Sequence, residues 1–123
     1  MAAQVLALVR DLMLRSRIEG AAEAAGVEVA FAATYDRLRA LAAEGRVTTV
    51  FADLSEASFD PEATARELTA ACPRARLIGF ASHVDLKPLA TARAAGFTQT
   101  LSRSEFVSRL PALLETHTGV TTS

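Results

Sequence analysis

Two rhythms of apolar and polar positions alternate along this chain. Val5-Leu6-Ala7-Leu8-Val9 is a short unbroken apolar run, the pattern of a strand buried on both faces. Leu14, Ile18, Ala21, Ala22 and Ala25 then recur at helical spacing, and Gly26 is placed to end that helix in the left-handed conformation. The same switch repeats. Val27 to Ala32 predicts a second strand, and Thr34 predicts the N-cap of a helix that buries Tyr35, Leu38, Leu41 and Ala42 and stops at Gly45. The β-branched run Val47 to Ala52 predicts a third strand ending in Asp53. After a loop from Leu54 to Phe59, Asp60-Pro61 opens a third helix as N-cap and first helical residue, with Ala65, Leu68 and Cys72 inward and Pro73 closing it. Leu77 to Ala81 predicts a fourth strand. Asp85 is the expected cap of a fourth helix that takes Pro88 in its first turn and ends at Gly96. Thr98 to Leu101 predicts a fifth strand, and Ser104 the cap of a last helix burying Phe106, Val107, Leu110, Leu113 and Leu114. Pro111 lies inside that helix and predicts a bend or a detached first turn.

Strand and helix thus alternate five times with short connections. That pattern dictates an α/β class with parallel strands and right-handed crossovers. Residues 1–115 read as one domain, and the polar stretch 116–123 as a flexible C-terminal tail. At 123 residues the chain is long enough to bury one core without metal or disulfide staples. Half of it is hydrophobic, yet no apolar run approaches the ~20 residues that span a bilayer. No basic-then-apolar leader opens the chain, and Cys72 is a lone cysteine with no disulfide framework around it. The expected location is therefore cytoplasmic, with no membrane association. The formal net charge is −1, the basic residues are scattered arginines apart from Lys87, and Trp is absent. A nucleic-acid partner lacks its electrostatic footprint here.

In such a sheet, chemistry gathers beyond the carboxyl ends of the strands. The residues expected there are Arg10 and Asp11, then Asp53, then Ala81, Ser82 and His83, and finally Ser102 and Arg103. Each has a plainer reading. A strand-end aspartate such as Asp53 is common in turns, and Asp11 is equally a helix cap. His83 is a lone loop histidine with His117 far away, short of a metal site. Three adjacent residue types of a hydrolytic triad, Ser82, His83 and Asp85, share one loop and do not form triad geometry. Cys72 belongs to an inward helical stripe. The loop Arg10-Asp11-Leu12-Met13-Leu14 is too bulky for a phosphate cradle, and no Gly-rich nucleotide motif occurs.

From Gln4 to Glu115, this set and its spacing resemble the receiver domain of bacterial response regulators. The resemblance implies a three-layer (βα)5 doubly wound parallel sheet of the CheY- or flavodoxin-like type, strand order 2-1-3-4-5. In that family an acidic pair after the first strand holds Mg²⁺, and an aspartate after the third accepts a phosphoryl group. A Thr or Ser after the fourth strand and a Lys after the fifth contact that group. Members signal through the face of the fourth helix, fifth strand and fifth helix, which here carries Leu86, Leu89, Phe97 and Phe106.

Asp53 matches the phosphoacceptor position. The acidic pair is represented by Arg10-Asp11, so Asp11 and Asp53 are the candidate Mg²⁺ ligands. Ala81 falls at the hydroxyl position with Ser82 just beyond, and Arg103 falls at the Lys position. The usual prolines after Asp53 and after Arg103 are absent. These departures remove a hydroxyl hydrogen bond, place a fixed positive charge where a metal ligand belongs, and exchange a compact ammonium for a planar fork.

One expectation follows, that Arg10 or Arg103 pairs with Asp53 and replaces the metal. The chain then acts as a stand-alone divergent receiver in signal transduction, not as an enzyme, through protein partners, with a histidine kinase and a second copy of the chain as candidates. The alternatives are a conventional phosphoacceptor of a two-component phosphorelay, with Asp53 phosphorylated and Mg²⁺ bound, and a small ligand-binding or enzymatic module on the same fold.

Overall fold

A computed structural model describes residues 3–82 and 87–118. The elements alternate as β1 (Val5–Leu8), α1 (Leu12–Ala25), β2 (Val29–Ala32), α2 (Tyr35–Ala42), β3 (Thr49–Asp53), α3 (Pro61–Ala71), β4 (Arg76–Ala81), α4 (Lys87–Ala95), β5 (Gln99–Ser102) and α5 (Arg103–Thr118). All strand pairs are parallel and the sheet order is β2-β1-β3-β4-β5. The chain steps outward from β1 to β2, then returns to the other side of β1 for β3. That reversal opens a crevice between the carboxyl ends of β1 and β3.

Two cores flank the sheet, and strand alternation divides the residues between them. Val5, Ala7 and Val9 of the first strand region join Phe51, Ile78, Phe80 and Leu101 against α1 and α5, through Leu14, Ile18, Phe106, Leu110 and Leu114. Leu6 and Leu8 join Val50, Ala52, Leu77 and Ala81 against α2, α3 and α4, through Leu38, Leu41, Ala65, Leu68 and Ala92. Apolar residues therefore point both ways from each central strand, which is why these strands read as continuous apolar runs. Phe106 is fully buried, stacked on Phe80 at 4.1 Å and edge-on to Phe51 at 5.0 Å between ring centroids.

Helix ends explain most differences from the expected boundaries. Gly26 adopts φ 72° and donates to the Glu23 carbonyl, while Val27 donates to the Ala22 carbonyl at 2.9 Å. Val27 is thereby committed to the end of α1, and β2 opens two residues later than the apolar run suggests. Gly96, at φ 119°, and Phe97 close α4 in the same way, onto Arg93 and Ala92, so β5 starts at Gln99. β3 begins at Thr49 and includes Asp53 as its last residue, paired with Phe80.

Asp60 caps α3 as expected, with Pro61 in the first turn. The expected cap Asp85 and the residues His83 and Leu86 lie outside the described residues. α5 is one helix from Arg103 to Thr118 with Pro111 inside it, so its first turn is not detached. The expected cap of α5 is corrected from Ser104 to Ser102. The Ser102 hydroxyl accepts from the Glu105 N–H and the Glu105 carboxylate accepts from the Ser102 N–H, both at 3.1 Å. This reciprocal pair is a capping box.

Candidate functional site

The crevice at the reversal point is built from three strand ends. Asp53 closes β3 and is 5% exposed. One carboxylate oxygen accepts from the Ser55 N–H at 3.0 Å. Among the described residues no buried side-chain oxygen lacks a partner, so the second oxygen of Asp53 retains access to solvent. Burial is the largest influence on this carboxyl and pushes its pKa up. The Ser55 N–H and the field of Arg103 oppose the shift, while the nearby Glu56 and Asp11 charges reinforce it.

Asp11 stands beyond β1 and caps α1. One of its carboxylate oxygens accepts from the Met13 and Leu14 N–H groups at 2.9 and 3.1 Å. The other accepts from the Arg103 guanidinium at 2.7 Å. That hydrogen bond, then the backbone donors, hold the Asp11 carboxyl below its ordinary range. Arg103 is the first residue of α5, positioned by the capping box of Ser102 and Glu105.

The expected pairing of an arginine with Asp53 is corrected at this point. Among the described residues Asp53 has no ion pair; Arg103 binds Asp11 instead, and Arg10 donates to the Ser58 hydroxyl at 3.0 Å. The physical reason is competition. Asp11 offers Arg103 a half-exposed carboxylate already oriented by α1, whereas Asp53 is sunk at the end of a central strand. Arg10 is exposed and follows the loop after β3 outward.

Ala81 ends β4 and is fully buried, and its methyl side chain offers no polar atom. Ser82 follows, and its N–H donates to the Ser55 hydroxyl at 2.6 Å. Ser55 and Ser58 thus tie the loop after β3 to its neighbours, one to the loop after β4 and one to the loop after β1. Reading by strand ends passed over both serines. The only sequence signal for them is the run of turn-forming residues that follows Asp53.

The donors do not fit Mg²⁺ as they are arranged. That ion requires a near-octahedral oxygen shell at about 2.0–2.1 Å. Both oxygens of Asp11 are engaged, by the cap of α1 and by Arg103. Asp53 offers one free oxygen, and the described residues contain no cluster of three or more His, Cys, Asp or Glu that could hold a metal. The face from α4 to α5 is also quieter than its composition suggests. Phe97 and Phe106 are buried, and Leu89 packs against the core.

No protein-family model and no curated protein matches the chain. Solved structures do match it. The receiver domain of the sensor histidine kinase PA1611 from Pseudomonas aeruginosa PAO1, solved with a magnesium ion coordinated in its active-site cleft, superposes with TM-score 0.76 at 17% identity, over 94% of this chain and 97% of that one. The chemotaxis response regulator CheY4 of Vibrio cholerae gives 0.76 at 18% identity, over 95% and 99%. A response regulator from Thermotoga maritima gives 0.76 at 15%, over 95% and 98%. The chain therefore has the receiver fold of the CheY type, with the expected strand order.

Proposed function

We propose that this chain is a divergent receiver-type module that acts in signal transduction by binding protein partners, without ordinary phosphotransfer to Asp53. The observation that carries this reading is the Arg103–Asp11 ion pair, which occupies the carboxylate that a receiver would offer to Mg²⁺. Phosphoryl transfer to a carboxylate depends almost entirely on positioning and on cations that neutralise the incoming charge. Here the Arg103 guanidinium near Asp53 is bound elsewhere, and the hydroxyl position is the buried Ala81.

Two features support a protein partner. Leu12 and Met13, on the first turn of α1 beside this pocket, are 74% and 79% exposed and are the large apolar side chains that the described residues leave in water. Next to them is an open cleft of about 460 Å³, lined by Leu14 of α1 and by Arg103 and Val107 of α5. No helix among the described residues is long and apolar enough to cross a membrane. The cytoplasm is the compartment in which we place the protein.

The test is incubation of the full chain with acetyl phosphate and Mg²⁺, read by intact mass. Unchanged mass is the expected result. A stable adduct of about 80 Da that disappears in Asp53→Ala would establish the conventional phosphoacceptor instead.

A further inference from the structure

We infer that Arg103 is the resident cation of this pocket: bound to Asp11, its guanidinium keeps divalent cations out. The inference rests on the receiver-type reading of the pocket.

The two partners are 92 positions apart in sequence and each is held from its own side. Asp11 is oriented by the Met13 and Leu14 N–H groups, and Arg103 by the capping box that starts α5. The pair is therefore pre-organised, and both oxygens of Asp11 are spent before any ion arrives. At side-chain exposures of 43% and 37%, such a bridge contributes little to stability. Its consequence lies in which cation sits in the pocket.

Charge makes the same point. Asp11 and Asp53 follow adjacent strands, paired at Leu8 and Ala52, and strands in a sheet lie about 4.8 Å apart. Glu56 adds a third negative charge to the field at Asp53. Arg103 is the cation that offsets this group, since Arg10 is turned onto Ser58. A guanidinium does not lose its proton in proteins, so the neutralisation persists at every pH at which the protein folds. Without Arg103, two carboxylates with free oxygens would face one crevice, and a divalent ion becomes the cheapest way to neutralise them.

The experiment is a titration of the full chain with Mg²⁺ alone, followed by amide NMR, with Mn²⁺ broadening to locate the ion. The unmodified chain is expected to show no saturable shifts at millimolar Mg²⁺. Arg103→Met is expected to gain a saturable site, at least about tenfold tighter, with broadening centred on Asp11 and Asp53. The double variant Arg103→Met, Asp11→Asn is expected to lose it again. Should the methionine variant fail to fold by circular dichroism, Arg103→Gln carries the same test. Saturable Mg²⁺ binding at Asp11 and Asp53 in the unmodified chain, or no gain on removing Arg103, overturns the inference. The acetyl phosphate experiment decides the function separately. An adduct formed without divalent ions would overturn the proposed function and leave the resident cation standing, whereas Mg²⁺ binding by the unmodified chain removes the resident cation whether or not an adduct forms.

Discussion

Replacing Gly79 by alanine adds one methyl group to the middle of β4, and the surroundings leave no space for it. Gly79 pairs with Ala52 on one side and Thr100 on the other. A Cβ at this position would lie 2.6 Å from Leu54 Cδ1 and 2.9 and 3.0 Å from two ring carbons of Phe97. Carbon atoms in contact prefer about 3.5–4.0 Å, so the overlap with Leu54 is about 1 Å. Leu54 and Phe97 are 3% and 5% exposed, and both sit in the α2–α3–α4 core, so neither can swing into solvent. Overpacking of this kind costs about 1–3 kcal/mol, offset by the roughly 0.5–1 kcal/mol that alanine gains over glycine in a strand. The expected net loss is about 1–2 kcal/mol. Urea unfolding followed by circular dichroism should show a lower midpoint with an unchanged slope. Because Leu54 directly follows Asp53 and donates its N–H to the Phe80 carbonyl at 2.8 Å, the strain also reaches the site, and the Asp53 amide resonance should shift. Trimming Leu54 to alanine in the same chain should recover part of the loss, giving a coupling of at least about 0.5 kcal/mol between the two positions. A Gly79→Ala variant as stable as the parent, or effects at 79 and 54 that simply add, would refute this account of the packing.

Two further outcomes follow from the same geometry. Asp53 binds its proton more tightly in the folded than in the unfolded chain because burial dominates, so the stability it contributes is full at low pH and is lost as pH rises from the unfolded carboxylate value through the folded one. Asp53→Asn removes that loss and should raise Tm at about pH 7, with little change near pH 4; a pH-independent difference would contradict the sign. Ser102→Ala removes half of the capping box and should cost about 1 kcal/mol in thermal unfolding, whereas Ser104→Ala should stay within about 0.5 kcal/mol; equal effects would return the cap to Ser104.

Much of the fold was legible because it rests on local rules. Nine switches of hydrophobic period located ten elements. Glycine at Gly26 and Gly96 marked two helix ends, and Asp60-Pro61 and Thr34 marked two starts. The misreadings were local too, but each involved two signals in competition. Val27 is apolar enough for a strand, yet its N–H completes the end of α1. Ser104 and Ser102 are both hydroxyl residues ahead of an apolar stripe, and only Ser102 has Glu105 three positions on to close the box. That pattern was present in the sequence and would have decided the cap.

The candidate site divides along a different line. Sequence alone determined which residue types reach the carboxyl edge of the sheet, because strand ends and chain direction follow from the pattern. Asp53, Asp11, Arg10, Ala81 and Arg103 were therefore identifiable, and the cap formed by Asp11 was among its readings. Only the tertiary structure decided how their charges pair. The choice of Arg103 for Asp11 over Asp53 depends on a helix cap at each end of the bridge and on the depth at which Asp53 is buried. Those quantities are set by packing between elements far apart in the chain. No spacing along the chain encodes them, because a guanidinium has several carboxylates within its reach and binds the one whose geometry and solvation cost least.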